Sequence, residues 1–149
     1  MTSMKRPRLK AVQAHPGFML KLTFVNGQIF DLDLNNDIEH YPGLKPLHDA
    51  EAFAAAAIGD DGWTVEWPEL DIQIGADTLY LDALAQSAPD ENTRIFIGWR
   101  ARHQLSLDQA ARALGIGTRS ISRYSNGREE VPRYLALACL GWEGLQQSS

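Results

Sequence analysis

The 149-residue sequence predicts an α+β unit in the order β-β-β-α-β-β-α over residues 1–88, followed by an all-α bundle over residues 89–149. Three observations carry that expectation. Apolar and polar residues alternate in short runs through the first half, the period lengthens to that of helices after Pro89, and two helical stretches meet across Gly115. A hydrophobic content of 44% is enough to bury a core in both units.

In the first unit, Leu9 to Ala14 and Met19 to Val25 are short strand-like runs. Asn26-Gly27 supplies a two-residue turn tolerant of positive φ, and Gln28 to Leu34 alternates again, giving a three-stranded meander. Asn35, Asn36, Pro42, Gly43 and Pro46 predict a loop. Asp49 caps a helix running through Glu51, Phe53 and Ala54 to Ala57, which Gly59 to Gly62 ends. Trp63 to Trp67 and Leu70 to Ile74 form two further strands separated by Pro68, and Asp77 to Gln86 has helical spacing through Leu81 and Leu84. Gln86-Ser87-Ala88-Pro89-Asp90 is the predicted linker, because a proline disfavours helix at the residue before it.

The second unit begins with a helix whose face carries Ile95, Phe96 and Trp99, ending near His103. Ser106 caps the next, Leu107 to Leu114, which buries Ala110, Ala111 and Leu114 and closes at Gly115 in the left-handed conformation. After Ile116-Gly117, Thr118 caps a third helix that turns Ile121 and Tyr124 inward and Arg119, Ser120, Ser122 and Arg123 outward, until Asn126-Gly127 stops it. A small residue at Ala111 lets the two backbones approach, and Gly115 reverses the chain. The polar outer face of the third helix, with the free N–H groups of its N-terminus, suits entry into a major groove.

The net charge of −5 is unevenly spread. Residues 1–89 hold 6 Lys+Arg against 13 Asp+Glu, a net −7, whereas residues 90–149 hold 8 against 6, a net +2. All eight of those later cations are arginine, whose planar fork binds phosphate or guanine through two parallel bonds. No signal-peptide apolar region follows the cations Lys5, Arg6, Arg8 and Lys10, and no run is long enough to cross a membrane. The lone Cys139 excludes an intramolecular disulfide and argues against a zinc site. A cytoplasmic protein without cofactor or metal is expected.

Leu105-Ser106, Ala111, Leu114-Gly115-Ile116, Ser120-Ile121-Ser122-Arg123-Tyr124 and Asn126-Gly127 resemble the phage-repressor (Cro/C1, lambda-repressor-like) helix-turn-helix family. The resemblance spans Ile95 to Leu140, with Pro132 and a helix from Tyr134 to Leu140 closing the bundle. It implies a sequence-specific, dimeric transcriptional regulator whose partner is double-stranded DNA. The DNA-contacting residues it implies are Gln109, Thr118, Arg119, Ser120, Ser122, Arg123, Asn126 and Arg128. Three positions depart from the family pattern: Leu107 replaces a contacting glutamine, Gly117 a capping serine and Ser125 a glutamate. Residues Val12 to Gln86 resemble a small bacterial α+β family known as domain of unknown function 2442, through Leu20-Lys21-Leu22-Thr23-Phe24, Asn26-Gly27, Asp31-Leu32, Leu44 to Phe53, Val65-Glu66-Trp67-Pro68 and Asp71-Ile72. That resemblance implies a toxin-like protein partner and names no activity. An antitoxin-like interaction protein is therefore the alternative to a regulator.

Other candidates have plainer explanations. Arg128 and Arg133 either touch phosphate or pair with Glu129 and Glu130. His40, His48, Asp37, Glu39 and Asp49 have no metal-ligand or acid-base spacing, so no catalytic role is expected. Asp31 and Asp33 alternate with Leu32 and Leu34 as on a solvated strand face, and Trp63, Trp67, Trp99 and Trp142 sit in apolar periods as core residues. Cys139, among Leu137, Ala138 and Leu140, is expected to be a buried, inert thiol.

Overall fold

A computed structural model describes residues 6–126 and 128–147. The chain divides into two compact units, Met1–Ala83 and Leu84–Ser149.

The first unit holds two antiparallel three-stranded sheets. β1 (Leu9–His15), β2 (Met19–Phe24) and β3 (Ile29–Asp33) lie in that order in one; β4 (Ala57–Gly59), β5 (Thr64–Trp67) and β6 (Ile72–Gly75) in the other. The register Leu20↔Leu32 and Leu22↔Phe30 brings the apolar face of β2 onto that of β3, so Leu20, Leu22, Phe24 and Leu32 are wholly buried. Phe24, Phe30 and Tyr80 pack edge to face, with centroids 5.0 to 6.0 Å apart. Trp67 is 1% exposed and donates its indole N–H to the Phe53 carbonyl at 2.9 Å, which satisfies the polar end of a core side chain. The last helix of the unit, α3 (Ala76–Ser87), lays Ala76, Leu79 and Ala83 on this core.

Several local expectations are corrected. The turn between β2 and β3 has three residues, not two: Gly27 N–H reaches the Phe24 carbonyl at 3.0 Å and Gly27 alone takes positive φ, at 94°. The predicted loop after β3 contains helix α1 (Asn35–His40), anchored by the buried Ile38, and a 3-10 segment, Pro42–His48, anchored by Leu47. Helix α2 is only Ala50–Phe53, capped by Asp49 as expected, and the following alanines do not extend it. The Phe53 carbonyl receives the Trp67 indole and the Ala56 N–H, and Ala57 pairs with Glu66 in β4. Pairing onto β5 thus outweighs the helix propensity of the alanine run. The observed order is therefore β-β-β-α-α-β-β-β-α. Between β4 and β5, Asp60, Asp61 and Gly62 all take positive φ, and a Cβ on Gly62 would fall 2.2 Å from the Leu9 carbonyl oxygen.

The second unit is all-helical: α4 (Glu91–Arg102), α5 (Leu107–Leu114), α6 (Thr118–Ser125) and α7 (Arg133–Gln147). Asp90 caps α4, accepting from Thr93 N–H at 2.9 Å. Phe96, Ile97, Trp99, Ala110, Ala111, Ile121, Val131, Leu135, Ala136 and Cys139 are buried. Tyr124 meets Phe96 edge to face at 5.9 Å, while Ile95, Leu114 and Tyr124 are half-buried. The last helix begins one residue before the expected Tyr134 and runs well past Leu140. Among the described residues no helix is long and apolar enough to cross a membrane.

Candidate nucleic-acid interface

Helix α5 starts on a complete capping box. Ser106 Oγ accepts from Gln109 N–H at 3.1 Å, and Gln109 Oε1 accepts from Ser106 N–H at 2.9 Å. It ends at Gly115, φ 70°, whose left-handed conformation reverses the chain while Ile116 N–H returns to the Ala111 carbonyl at 3.1 Å. Only Gly115, Ile116 and Gly117 separate α5 from α6. With Ala111 and Ile121 buried where the helices meet, α6 is left with its opposite face in solvent.

Arg100 locks this pair from α4. Its Nε donates to the Leu105 carbonyl ahead of α5 at 2.9 Å, and its Nη1 donates to Ser125 Oγ at the end of α6, also at 2.9 Å. Burial lowers its pKa from the ordinary arginine value. Sequence reasoning passed over Arg100, because its partners lie 5 and 25 positions away and no spacing rule joins them.

The exposed side of α6 forms an open groove lined by Leu107, Thr118, Arg119, Ser122, Arg123, Asn126 and Arg128. Six of the eight predicted contact residues are thus gathered on one surface. Arg119, Arg123 and Arg128 are exposed. Arg123 Nη1 lies 3.1 Å from Glu129 Oε1, an exposed pair that a stronger anion can displace. Asn126 Oδ1 accepts from Arg128 N–H at 3.0 Å, tying the loop after α6 back to the helix end. Gly127, the second half of the predicted helix stop, lies outside the described residues.

Gln109 and Ser120 do not line the groove. The oxygen of Gln109 is held in the capping box, and Ser120 is half-buried. Thr118 does line it, but is not the cap of α6. Gly117 is, with no side-chain cap bond, and Thr118 Oγ1 donates to Asp108 Oδ1 at 3.3 Å. The first N–H groups of α6 therefore have no side-chain acceptor from the cap position. Arg133 pairs with Glu91 at 3.4 Å and Asn92 at 3.0 Å, away from Glu129 and Glu130.

Three of the singled-out His and carboxylate residues of the first unit, His40, His48 and Asp49, make local structural contacts. His48 stacks on Phe18 at 5.5 Å, His40 Nδ1 sits 3.1 Å from the Asn36 carbonyl, and Asp49 caps α2. Burial raises the Asp37 pKa, opposed by its hydrogen bond with Asp82. Among the described residues no group of three or more His, Cys, Asp or Glu gathers to hold a metal ion.

Residues 9–84, which include both sheets, match the family described as a protein of unknown function, DUF2442. The chain belongs to the DUF2442 family. The match covers the first unit and leaves α4 to α7 beyond it. The crystal structure of a candidate DNA-binding protein, NE0471 from Nitrosomonas europaea ATCC 19718, is 36% identical to this chain, with a TM-score of 0.57. That likeness covers 96% of this chain and 90% of the other, so it runs on from the DUF2442 region into the helical unit. No curated protein matches the chain.

Proposed function

We propose that this DUF2442 protein is a sequence-specific DNA-binding transcriptional regulator that reads the major groove with α6. The observation that carries the proposal is the groove on α6, where three arginines and three hydrogen-bonding side chains lie together. The α5–α6 pair serves as a helix-turn-helix of the phage-repressor type, with α6 as its recognition helix. Arg119 and Arg123 contact base edges or phosphates through their forked guanidinium groups, Ser122 and Asn126 add hydrogen bonds, and Arg128 meets the backbone. The N–H groups at the start of α6, which no cap side chain satisfies, donate to a phosphate oxygen. Two copies place their α6 helices in half-sites about 34 Å apart or a multiple of it. The description of NE0471 as a candidate DNA-binding protein supports the same reading.

The acidic first unit repels DNA, which keeps non-specific affinity low and lets bound protein leave non-operator sequence as salt rises. Its own task is to dimerise or to bind a ligand or a basic partner. Selection of random duplexes on the full chain tests the proposal. Palindromes with half-sites one turn apart are expected, and Arg119→Ala is expected to weaken binding to the selected site about tenfold, within the worth of one bidentate arginine contact. If Arg119→Ala and Arg123→Ala both fold and bind as the parent does, α6 is not the reading element.

One observation favours a second reading. Leu107, 36% exposed, puts an apolar side chain into the groove where a DNA-contacting face is polar. An antitoxin-like interaction protein uses that surface to dock a protein. No enrichment of duplexes, together with a co-purifying partner, marks that outcome.

A further inference from the structure

Helix α7 is apolar on two sides. Its inner side carries the buried Leu135, Ala136 and Cys139. Its outer side repeats Tyr134, Leu137, Ala138, Gly141 and Leu145 at the three- and four-residue spacing of a packing seam, with Leu140 beside it. Tyr134 is 70% exposed, Leu137 51%, Leu140 45% and Leu145 71%. A helix apolar all round belongs inside a protein, yet among the described residues Tyr134, Leu137 and Leu140 of this one stay exposed.

We propose that the outer side of α7 is where two copies of this chain associate, each seam lying on its mate across a two-fold axis. Three features of the helix select a second copy. The seam carries no charge: Arg133 is engaged by Glu91 and Asn92, and Glu143 faces Arg102 and His103. Copies bearing a net −5 each repel one another, so the contact that joins them must bring no further charge together, and an uncharged stripe meeting itself does so. A Cβ placed on Gly141 would meet nothing within 4 Å, which leaves room for a partner backbone to approach at the middle of the helix. The size also fits: the exposed seam amounts to on the order of 500 Å² per copy, so a pair buries about 1,000 Å², where specific interfaces begin.

This inference deepens the proposed dimer, and its test is run without DNA so that the two stand or fall separately. Sedimentation of the full chain at micromolar concentration is expected to give twice the 16.6 kDa chain mass. Leu137→Glu, at an exposed position that the fold of one copy does not need, is expected to raise the dissociation constant at least about a hundredfold and yield a folded monomer by circular dichroism. Ile29→Glu alters another exposed apolar residue, on the edge of the first sheet, and is expected to leave the dimer intact. A parent chain that stays monomeric, or a dimer that survives Leu137→Glu, overturns the proposal. So does a dimer that Ile29→Glu dissociates. If the dimer forms as expected and no duplex is enriched, the seam stands and the DNA reading falls.

Discussion

In the first unit, Phe24 and six leucines are wholly buried and Trp67 is 1% exposed, and strand register sets which face Leu20, Leu22, Phe24 and Leu32 occupy. In the helical unit, α5 and α6 have eight residues each, too short to persist alone, and polar contacts at their ends hold them: the Ser106–Gln109 box, the left-handed Gly115, and Arg100 bridging Leu105 to Ser125. The contrast follows from what each unit presents. A sheet buries one whole face and can rely on volume. A short helix with one face in solvent has fewer apolar positions left and depends on directed bonds.

The sharpest way to break the contrast is Trp67→Ala. It removes the largest buried side chain of the first unit together with its bond to the Phe53 carbonyl, and is expected to cost about 3–5 kcal/mol in denaturant unfolding. The DNA binding proposed for the helical unit, measured by anisotropy below the unfolding transition, is expected to be unchanged. A variant that loses both stability and DNA affinity would show that the two units do not act separately.

Arg100→Ala is the counterpart in the helical unit. It leaves the Leu105 carbonyl and Ser125 without their donor and frees the end of α6, at an expected cost of about 1–3 kcal/mol. Cys139 reports this opening directly. Its thiol is fully buried and its pKa is pushed up to about 12, mainly by burial, so near neutral pH it stays protonated and closed to disulfide reagents until the unit opens. Thiol labelling is expected to be slow in the parent and about fivefold to a hundredfold faster in Arg100→Ala, since 1.4 kcal/mol is a tenfold change in opening. Equal rates would mean that packing alone holds the bundle. DNA affinity should also fall in Arg100→Ala, although the side chain lies off the groove, because α6 is no longer fixed.

The same contrast explains what could be read from the sequence. The bounds of α5 and α6 follow from local signals, Ser106 and Gly115, and the Ser-x-x-Gln spacing of Ser106 and Gln109 already signals a capping box. Most of the groove follows too, because helical period alone puts Arg119, Ser122, Arg123 and Asn126 on one side. In contrast, α1 and β4 are six and three residues long and are decided by what they pack against, Ile38 in the core and Ala57 against Glu66. No window of sequence contains those partners. Arg100 escaped for the same reason, as did the outer seam of α7, whose apolar residues look in sequence like a core face.

The smallest expected effect is a pH dependence confined to the helical unit. Glu143 is partly buried, which by itself raises a carboxyl pKa, but the ion pair and hydrogen bond from Arg102, with His103 Nε2 at 3.4 Å, outweigh this and hold it below its ordinary value of 4.5. A carboxyl with a lowered folded pKa binds fewer protons folded than unfolded, so its contribution is complete above 4.5 and is lost as pH falls through the lower folded value. Thermal unfolding of the parent and of Glu143→Gln is therefore expected to differ at pH 7, with the parent more stable, and to converge in acid. A difference that stays constant down to pH 3 would assign the effect of the substitution to packing against Trp142 and α4 rather than to charge, and would bring the helical unit closer to the first in how it is held.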